Sequence, residues 1–150
     1  MTRATYSYKN QGTERYIFTS IGKKAIHKFV DFSPTQTPNL YNVGFGDLLQ
    51  DGSIDDTANS NNGDMIKVLA TVAQIIKDFT TQFPEIKLIF FGSTPERTNL
   101  YGRILTTYYM DFSKEFVITA LIKTGPRFQE IFFAPNSPNI YCAFFIKRIL

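Results

Sequence analysis

The sequence predicts an α+β domain, a mostly antiparallel sheet with two main helices packed on one face. Three observations carry this prediction. Runs with strand-like alternation or a β-branched and aromatic composition occupy both ends of the chain, two helical stretches lie between them, and one short apolar run separates the helices. That order of elements is typical of α+β domains. Fifteen Phe and eight Tyr, 15% of the residues with no Trp present, also indicate a substantial sheet.

The first third of the chain is predicted to form strands. Side chains of alternating polarity mark each of them, and residues 39–48 form a further run of the same kind. The apolar members are Tyr6 and Tyr8, then Tyr16 and Phe18, then Ile26, Val30 and Phe32, and finally Tyr41, Val43 and Phe45.

The first helix is predicted over about residues 64–83. Its apolar residues recur at intervals of three and four from Met65 to Phe83, which is the period of one helix face. Asn62 or Asp64 supplies the N-cap, and Pro84 ends the helix. The apolar run at 86–91 that follows is typical of a buried central strand.

The second helix is predicted over about residues 95–112, after a turn at 92–97. Two residues are candidates for its N-cap. One is Thr94, with Pro95 as the first helical residue, and the other is Ser93, with Glu96 completing a capping box. The sequences FVITALI, FQEIFF and IYCAFFI then predict three strands, the first two joined by a Gly125-Pro126 turn.

Length and composition predict a single domain over residues 1–150. The chain is 43% hydrophobic and 19% charged, which is too apolar for disorder. Cys142 is the only cysteine, so a disulfide framework and a cysteine zinc site are excluded and a cytoplasmic location is expected. Because no apolar run suits a secretory signal or a spanning helix, no membrane partner is predicted.

Charge is unevenly distributed along the chain. The net charge of +3 is the sum of +4 over residues 1–32, −5 over 33–64 and +4 over 65–150. The middle segment contains no Lys or Arg at all. The basic pI of 9.0 therefore indicates a nucleic-acid partner only if the acidic segment does not neutralise the basic ones.

The turn before the second helix is the main candidate site, for a phosphate group. Backbone N–H groups and the positive end of the helix dipole converge there, and hydroxyl and guanidinium groups add donors. The predicted ligand-binding residues are Gly92, Ser93, Thr94, Arg97, Tyr101 and Arg103. The competing interpretation is structural, with Gly92 as a turn residue and Ser93 and Thr94 as ordinary caps. No phosphate-loop lysine or three-glycine fingerprint is present.

The acidic segment is the weaker candidate, for a metal ion. Asp47, Asp55, Asp56 and Asp64 offer the oxygen ligands that hard cations prefer, but their spacing does not fit a calcium-binding EF-hand. A solvated loop of turn formers is the favoured interpretation. His27 is the only histidine, so a nucleophilic triad is nearly excluded and no catalytic residue is predicted.

Aromatic and basic residues are interleaved in the first strands. Such a face stacks bases in some single-strand binders, but the same alternation arises when aromatics face the core and lysines face solvent. The core interpretation is favoured for Tyr6, Tyr8, Tyr16 and Phe18.

Several motifs in order resemble a known family. They are YNVGFGDL at 41–48, DD at 55–56, NNGD at 61–64, KVLATVAQII at 67–76, FP at 83–84 and GSTPERTNLY at 92–101. Together they resemble an uncharacterised bacterial family, mainly from Bacteroidetes, designated domain of unknown function number 6934. The resemblance runs from about Tyr16 to Arg148 and implies a small stand-alone cytoplasmic protein without an established activity or assigned site residues. Where the family often has a second basic residue, this chain has Asn99.

The function predicted from the sequence is non-enzymatic binding of a phosphate-bearing ligand, a nucleic acid or nucleotide, at the 92–97 turn. No cofactor is predicted. One alternative is a protein-interaction module or homodimer that uses exposed aromatics such as Tyr108, Tyr109 or Phe133. Another is a metal-dependent phosphoesterase-like enzyme that uses the acidic segment 47–64.

Overall fold

The computed structural model describes residues 4–12, 14–51, 54–55, 62–92 and 94–149. Nine strands and three helices are assigned within them. The strands are β1 Tyr8–Gln11, β2 Arg15–Ile21, β3 Ala25–Pro34, β4 Leu40–Leu48, β5 Ile54–Asp55, β6 Lys87–Phe90, β7 Phe116–Thr124, β8 Arg127–Phe132 and β9 Ala143–Arg148. The helices are α1 Met65–Gln82, α2 Pro95–Thr107 and α3 Tyr109–Phe112.

The predicted class is confirmed: the fold is α+β with a mostly antiparallel sheet. β4 and β6 run parallel, and α1 lies between them in the chain, as a parallel connection requires. The chain divides into two compact units, residues 1–33 with 44–82 and residues 34–43 with 83–150. A single domain over 1–150 therefore stays a prediction.

The first unit holds β1, β2, β3 and the Gly44–Leu48 part of β4, with β5 added to β4. Its helix α1 begins and ends within one residue of the predicted bounds. α1 packs on the sheet face that carries Phe32, whose ring stacks on Phe79 with centroids 3.9 Å apart. Tyr16 and Phe18 are also buried, which agrees with the core interpretation of these aromatics.

One side chain ties the start of α1 to the turn between β2 and β3. Asn62 is 5% exposed, and its amide bonds to Ser20 Oγ and to both the N–H and the C=O of Lys24. The backbone carbonyl of Asn62 accepts from the Lys23 N–H at 2.9 Å. A Cβ on Gly22 would lie 1.8 Å from that carbonyl oxygen, so glycine is required there.

The second unit has the strand order β4, β6, β9, β7, β8, with β4 contributing Leu40–Val43. Its helix α2 packs on the sheet face that carries Phe144, because a Cβ on Gly102 would lie 2.9 Å from that ring. On the same face, Phe90 contacts Tyr101 and Phe116 contacts Phe112. We call this side of the second unit's sheet the inner face.

The helix predicted over 95–112 is present, divided at one residue into two helical segments. Tyr108 interrupts it with φ −105° and ψ 17°, leaving α2 and the single turn α3. The reason is local, because Thr106, Thr107, Tyr108 and Tyr109 are β-branched or aromatic residues that lose side-chain freedom in a helix. Among the described residues, none of the helices combines the length and apolar character needed to cross a bilayer.

Candidate functional site

The turn before α2 has the first of the two predicted caps. Thr94 is the N-cap, its hydroxyl accepts from the Arg97 N–H at 3.2 Å, and Pro95 is the first helical residue. Ser93 lies outside the described residues. The Arg97 N–H is thus already hydrogen bonded within the turn.

Gly92 owes its place to close packing against the first turn of α2. A Cβ there would lie 2.4 Å from the Thr98 nitrogen and 2.5 Å from the Arg97 Cβ. The Gly92 N–H donates to Thr98 Oγ1 at 3.1 Å, and that hydroxyl in turn donates to the Thr94 carbonyl. The hydrogen bonds account for this N–H without a ligand.

The remaining predicted residues of this site lie in two environments. Arg97 and Tyr101 are buried, 9% and 3% exposed, and the Tyr101 hydroxyl lies 3.5 Å from the carbonyl oxygen of Val43. Arg103 is exposed. The two cations of the predicted site thus differ in their exposure to solvent.

The acidic segment uses its described side chains inside the first unit. Asp47 forms an ion pair with Lys28 at 2.5 Å, and the two side chains are 12% and 7% exposed. Asp64 accepts hydrogen bonds from Tyr6 and Ser20, each at 2.5 Å. Asp55 lies in β5, which is described by its backbone, and Asp56 lies outside the described residues. Within the described part of the chain, no three acidic, His or Cys side chains group into a metal site.

The hydrogen bonds at Asp64 change its acidity. Burial alone would raise the pKa of Asp64, but the hydrogen bonds from Ser20 and Tyr6 outweigh it and hold that pKa below its ordinary value. The acidic segment is therefore neutralised locally at Asp47 and hydrogen bonded at Asp64.

Two other predictions concern single residues. His27 is exposed, with Nδ1 2.9 Å from Thr19 Oγ1, as expected for a surface histidine. The predicted exposure of Tyr108 and Phe133 is wrong, because they are only 9% and 6% exposed. Phe133 is covered by Tyr109, Tyr141 and Phe144, with ring centroids 5.4–6.0 Å away.

A shallow polar cleft of about 370 Å³ opens in the first unit. It is lined by Gln11, Glu14, Arg15, Asp31 and Ser33. Arg15 is held by Asp31 through two bonds of 2.6 and 2.8 Å, so its guanidinium fork is engaged with a carboxylate. With Arg15 paired to Asp31, the charge left over in the lining of the cleft is the negative one of Glu14.

The feature that sequence reasoning missed is the other side of the second unit's sheet. Directly paired residues of neighbouring strands share a face, so the strand register decides which residues lie on this side of the sheet. We call it the outer face. Its members are Leu40, Asn42, Lys87, Ile89, Val117, Thr119, Leu121, Lys123, Phe128, Glu130, Phe132, Ala143, Phe145 and Lys147.

The outer face combines exposed aromatic rings with lysines. Phe128 is 58% exposed and Phe132 is 79% exposed, whereas Phe145 is 9% exposed beneath the Lys87 ammonium at 4.6 Å. Lys123 lies 6.0 Å from the Phe128 ring. The alternation within FVITALIKT and RFQEIF predicts the individual strands, but only their pairing brings these side chains together.

Glu130 holds the negative charge of this face. Its carboxylate accepts from Lys87 Nζ at 2.9 Å and from Thr119 Oγ1 at 2.5 Å. Burial alone would raise the pKa of Glu130, but the hydrogen bonds from Thr119 and Lys87 outweigh it and lower that pKa. Three lysines against this one glutamate leave the face with a net charge of +2.

Comparison with known proteins agrees with the resemblance noted above. A model described as a family of unknown function, DUF6934, matches residues 2–149. The chain belongs to this family. The comparisons with curated proteins and with solved structures give no match. Since the description of DUF6934 states no activity, a functional hypothesis for this member depends on its own geometry.

Proposed function

We propose that the chain binds single-stranded nucleic acid without catalysing a reaction, and that the outer face of the second unit takes the strand. The observation that carries the proposal is the exposure of Phe128 and Phe132 beside lysines on a single sheet face. Aromatic rings on a sheet stack on the bases of an extended strand, since every base presents a π-face.

Charge supports the same ligand. Lys123 on β7 lies opposite Phe128, Lys147 on β9 lies opposite Lys87, and the Lys87 ammonium contacts both Glu130 and Phe145. Ammonium groups on the same face as the rings suit a chain of phosphates, which can contact the lysines while the bases stack. A neutral or basic partner gains no such electrostatic attraction from a face of net charge +2.

The turn at Gly92 is the less favoured place for a phosphate. The N–H groups of Gly92 and Arg97 are hydrogen bonded to Thr98 and Thr94, and Arg97 is buried. Arg103 is the exposed cation of α2 that a ligand there would use. It therefore provides the variant that separates the two locations.

The test is fluorescence anisotropy with labelled oligothymidylate and oligouridylate over a range of salt concentrations. Binding is expected to weaken as salt rises, with a log-log slope of about −0.7 for each phosphate contact. The double variant Lys123→Gln/Lys147→Gln should reduce the size of that slope by about 1.4, because two contacts are lost. Phe128→Ala should weaken binding by about 1–3 kcal/mol with the slope unchanged, because stacking releases no counterions.

The matched control is Lys9→Gln on β1, an exposed lysine of the first unit. It removes one positive charge, as each of the two lysine substitutions in the double variant does, and should leave the slope unaltered. An effect of Arg103→Gln with none from the outer-face variants would move the ligand to the Gly92 turn. Absence of binding at low salt would reject nucleic acid and favour a protein partner.

A further inference from the structure

The strand β8 presents an unpaired edge. Within the described residues it pairs with β7 and with no other strand. Every residue of β8 except Ile131 is exposed, including Phe128 and Phe132. An open edge that carries large apolar side chains is a template for pairing with another strand.

The backbone groups on this edge can be assigned from the ladder. The Phe133 N–H donates to the Ile118 carbonyl at 3.1 Å, so it points toward β7. The side to which the N–H and C=O groups point alternates from one residue of a strand to the next. The two-residue turn that joins Thr124 to Arg127 makes these two a hydrogen-bonded pair, which gives the same alternation along β8. The N–H and C=O groups of Phe128, Glu130 and Phe132 therefore point away from β7.

We infer that a second copy of this chain pairs with β8 in antiparallel fashion about a two-fold axis at Glu130. In that register Glu130 lies opposite the partner's Glu130, and Phe128 lies opposite the partner's Phe132. All three outward-facing residues then pair, giving six backbone hydrogen bonds. The exposed rings of each copy become cross-strand aromatic pairs.

The edge is self-complementary, which selects a second copy over an unrelated strand. The outward residues read Phe, Glu, Phe in either direction, as a two-fold interface requires. The two Glu130 carboxylates are directed to Lys87 and Thr119 of their own copies, so they do not meet as uncompensated charges. This inference does not require the proposed nucleic-acid ligand, but both use the rings of Phe128 and Phe132. The two-fold would double the width of the outer face.

Sedimentation velocity over a concentration series tests the dimer, and charge variants test its register. The native chain is expected to shift from monomer to dimer as concentration rises. Phe128→Lys/Phe132→Lys and Phe128→Glu/Phe132→Glu place like charges opposite each other and should remain monomeric. Phe128→Glu/Phe132→Lys places opposite charges together and should dimerise at low salt. All three variants replace the exposed rings of Phe128 and Phe132, so each is expected to fold, and thermal melting checks this.

A native chain that stays monomeric at every concentration overturns the inference, as does a Phe128→Glu/Phe132→Lys variant that behaves like its like-charged counterparts. Cross-linking gives a second measurement. Glu130→Cys in a Cys142→Ser background should form a disulfide dimer under mild oxidation, because hydrogen-bonded antiparallel pairs place their Cα atoms about 5.5 Å apart. Lys9→Cys is the exposed control, and cross-linking of that control to the same extent would also overturn the inference.

Discussion

At the residue scale, Gly92 is fixed by the approach of α2 rather than by backbone conformation. A Cβ at this position would lie 2.4 Å from a backbone nitrogen, which cannot move without shifting the helix. We predict that Gly92→Ala lowers the free energy of unfolding by about 1–3 kcal/mol, the range for overpacking. Urea unfolding followed by circular dichroism measures it.

Gly44→Ala is the matched control, since its Cβ would meet its nearest neighbour, the Asp31 Cβ, at an ordinary 3.8 Å. Its unfolding midpoint should stay close to the native value. Equal destabilisation by the two substitutions would show that the close approach at Gly92 is not the cause.

The ion pair between Lys28 and Asp47 gives a second prediction at this scale. Both side chains are largely buried, so removing one leaves the other charge without its partner in a poorly solvated place. Lys28→Ala should cost about 3–5 kcal/mol of stability. The double variant Lys28→Met/Asp47→Leu should cost less than the sum of the costs of Lys28→Met and Asp47→Leu made singly. A strictly additive double-mutant cycle would contradict coupling between the two charges.

At the scale of elements, Asp64 joins the start of α1 to Ser20 of β2 and to Tyr6, which precedes β1. Its pKa is lowered in the folded state, so it stabilises the protein above its unfolded pKa of about 3.9, and that contribution is lost as pH falls through the folded value. Asp64→Asn should therefore destabilise the protein at pH 7 and differ less from the native chain in acid. Urea midpoints across this pH range measure the difference.

Glu85→Gln, at an exposed carboxyl, is the control for this pH profile. Its difference from the native chain should stay flat across the same range. If the difference in urea midpoint between Asp64→Asn and the native chain grew as the pH fell, the folded-state pKa of Asp64 would not be lowered.

Local features of the elements could be predicted from the sequence, whereas contacts between distant elements could not. The bounds of α1 follow from a local apolar period, and the cap at Thr94 is one of two that the local sequence allows, so both can be predicted from neighbouring residues. The outer face depends on register between strands whose residues are far apart, such as Lys87 and Lys147. The buried role of Asn62 is equally invisible, because its partners Ser20 and Lys24 lie about forty positions away.

At the scale of the whole molecule, both compact units are discontinuous in sequence. Each takes part of β4, and neither is a single stretch that can be cut out. We therefore predict one cooperative unfolding transition, with equal calorimetric and van't Hoff enthalpies. Lys28→Ala in the first unit and Gly92→Ala in the second should each shift the entire transition. Two separate transitions, or a shift confined to part of the curve, would contradict a single domain.

The parallel pairing of β4 with β6 has a consequence for synthesis of the chain. Leu40 leaves the ribosome 47 positions (87 minus 40) before its partner Lys87. At about 5–20 residues per second, this edge of β4 waits about 2–10 s for β6 to emerge. During that interval the nascent chain has already exposed Tyr41 and Val43 without the strand that pairs with them. Slowing translation between codons 48 and 87 should therefore lower the yield of correctly folded protein more than slowing it after codon 90.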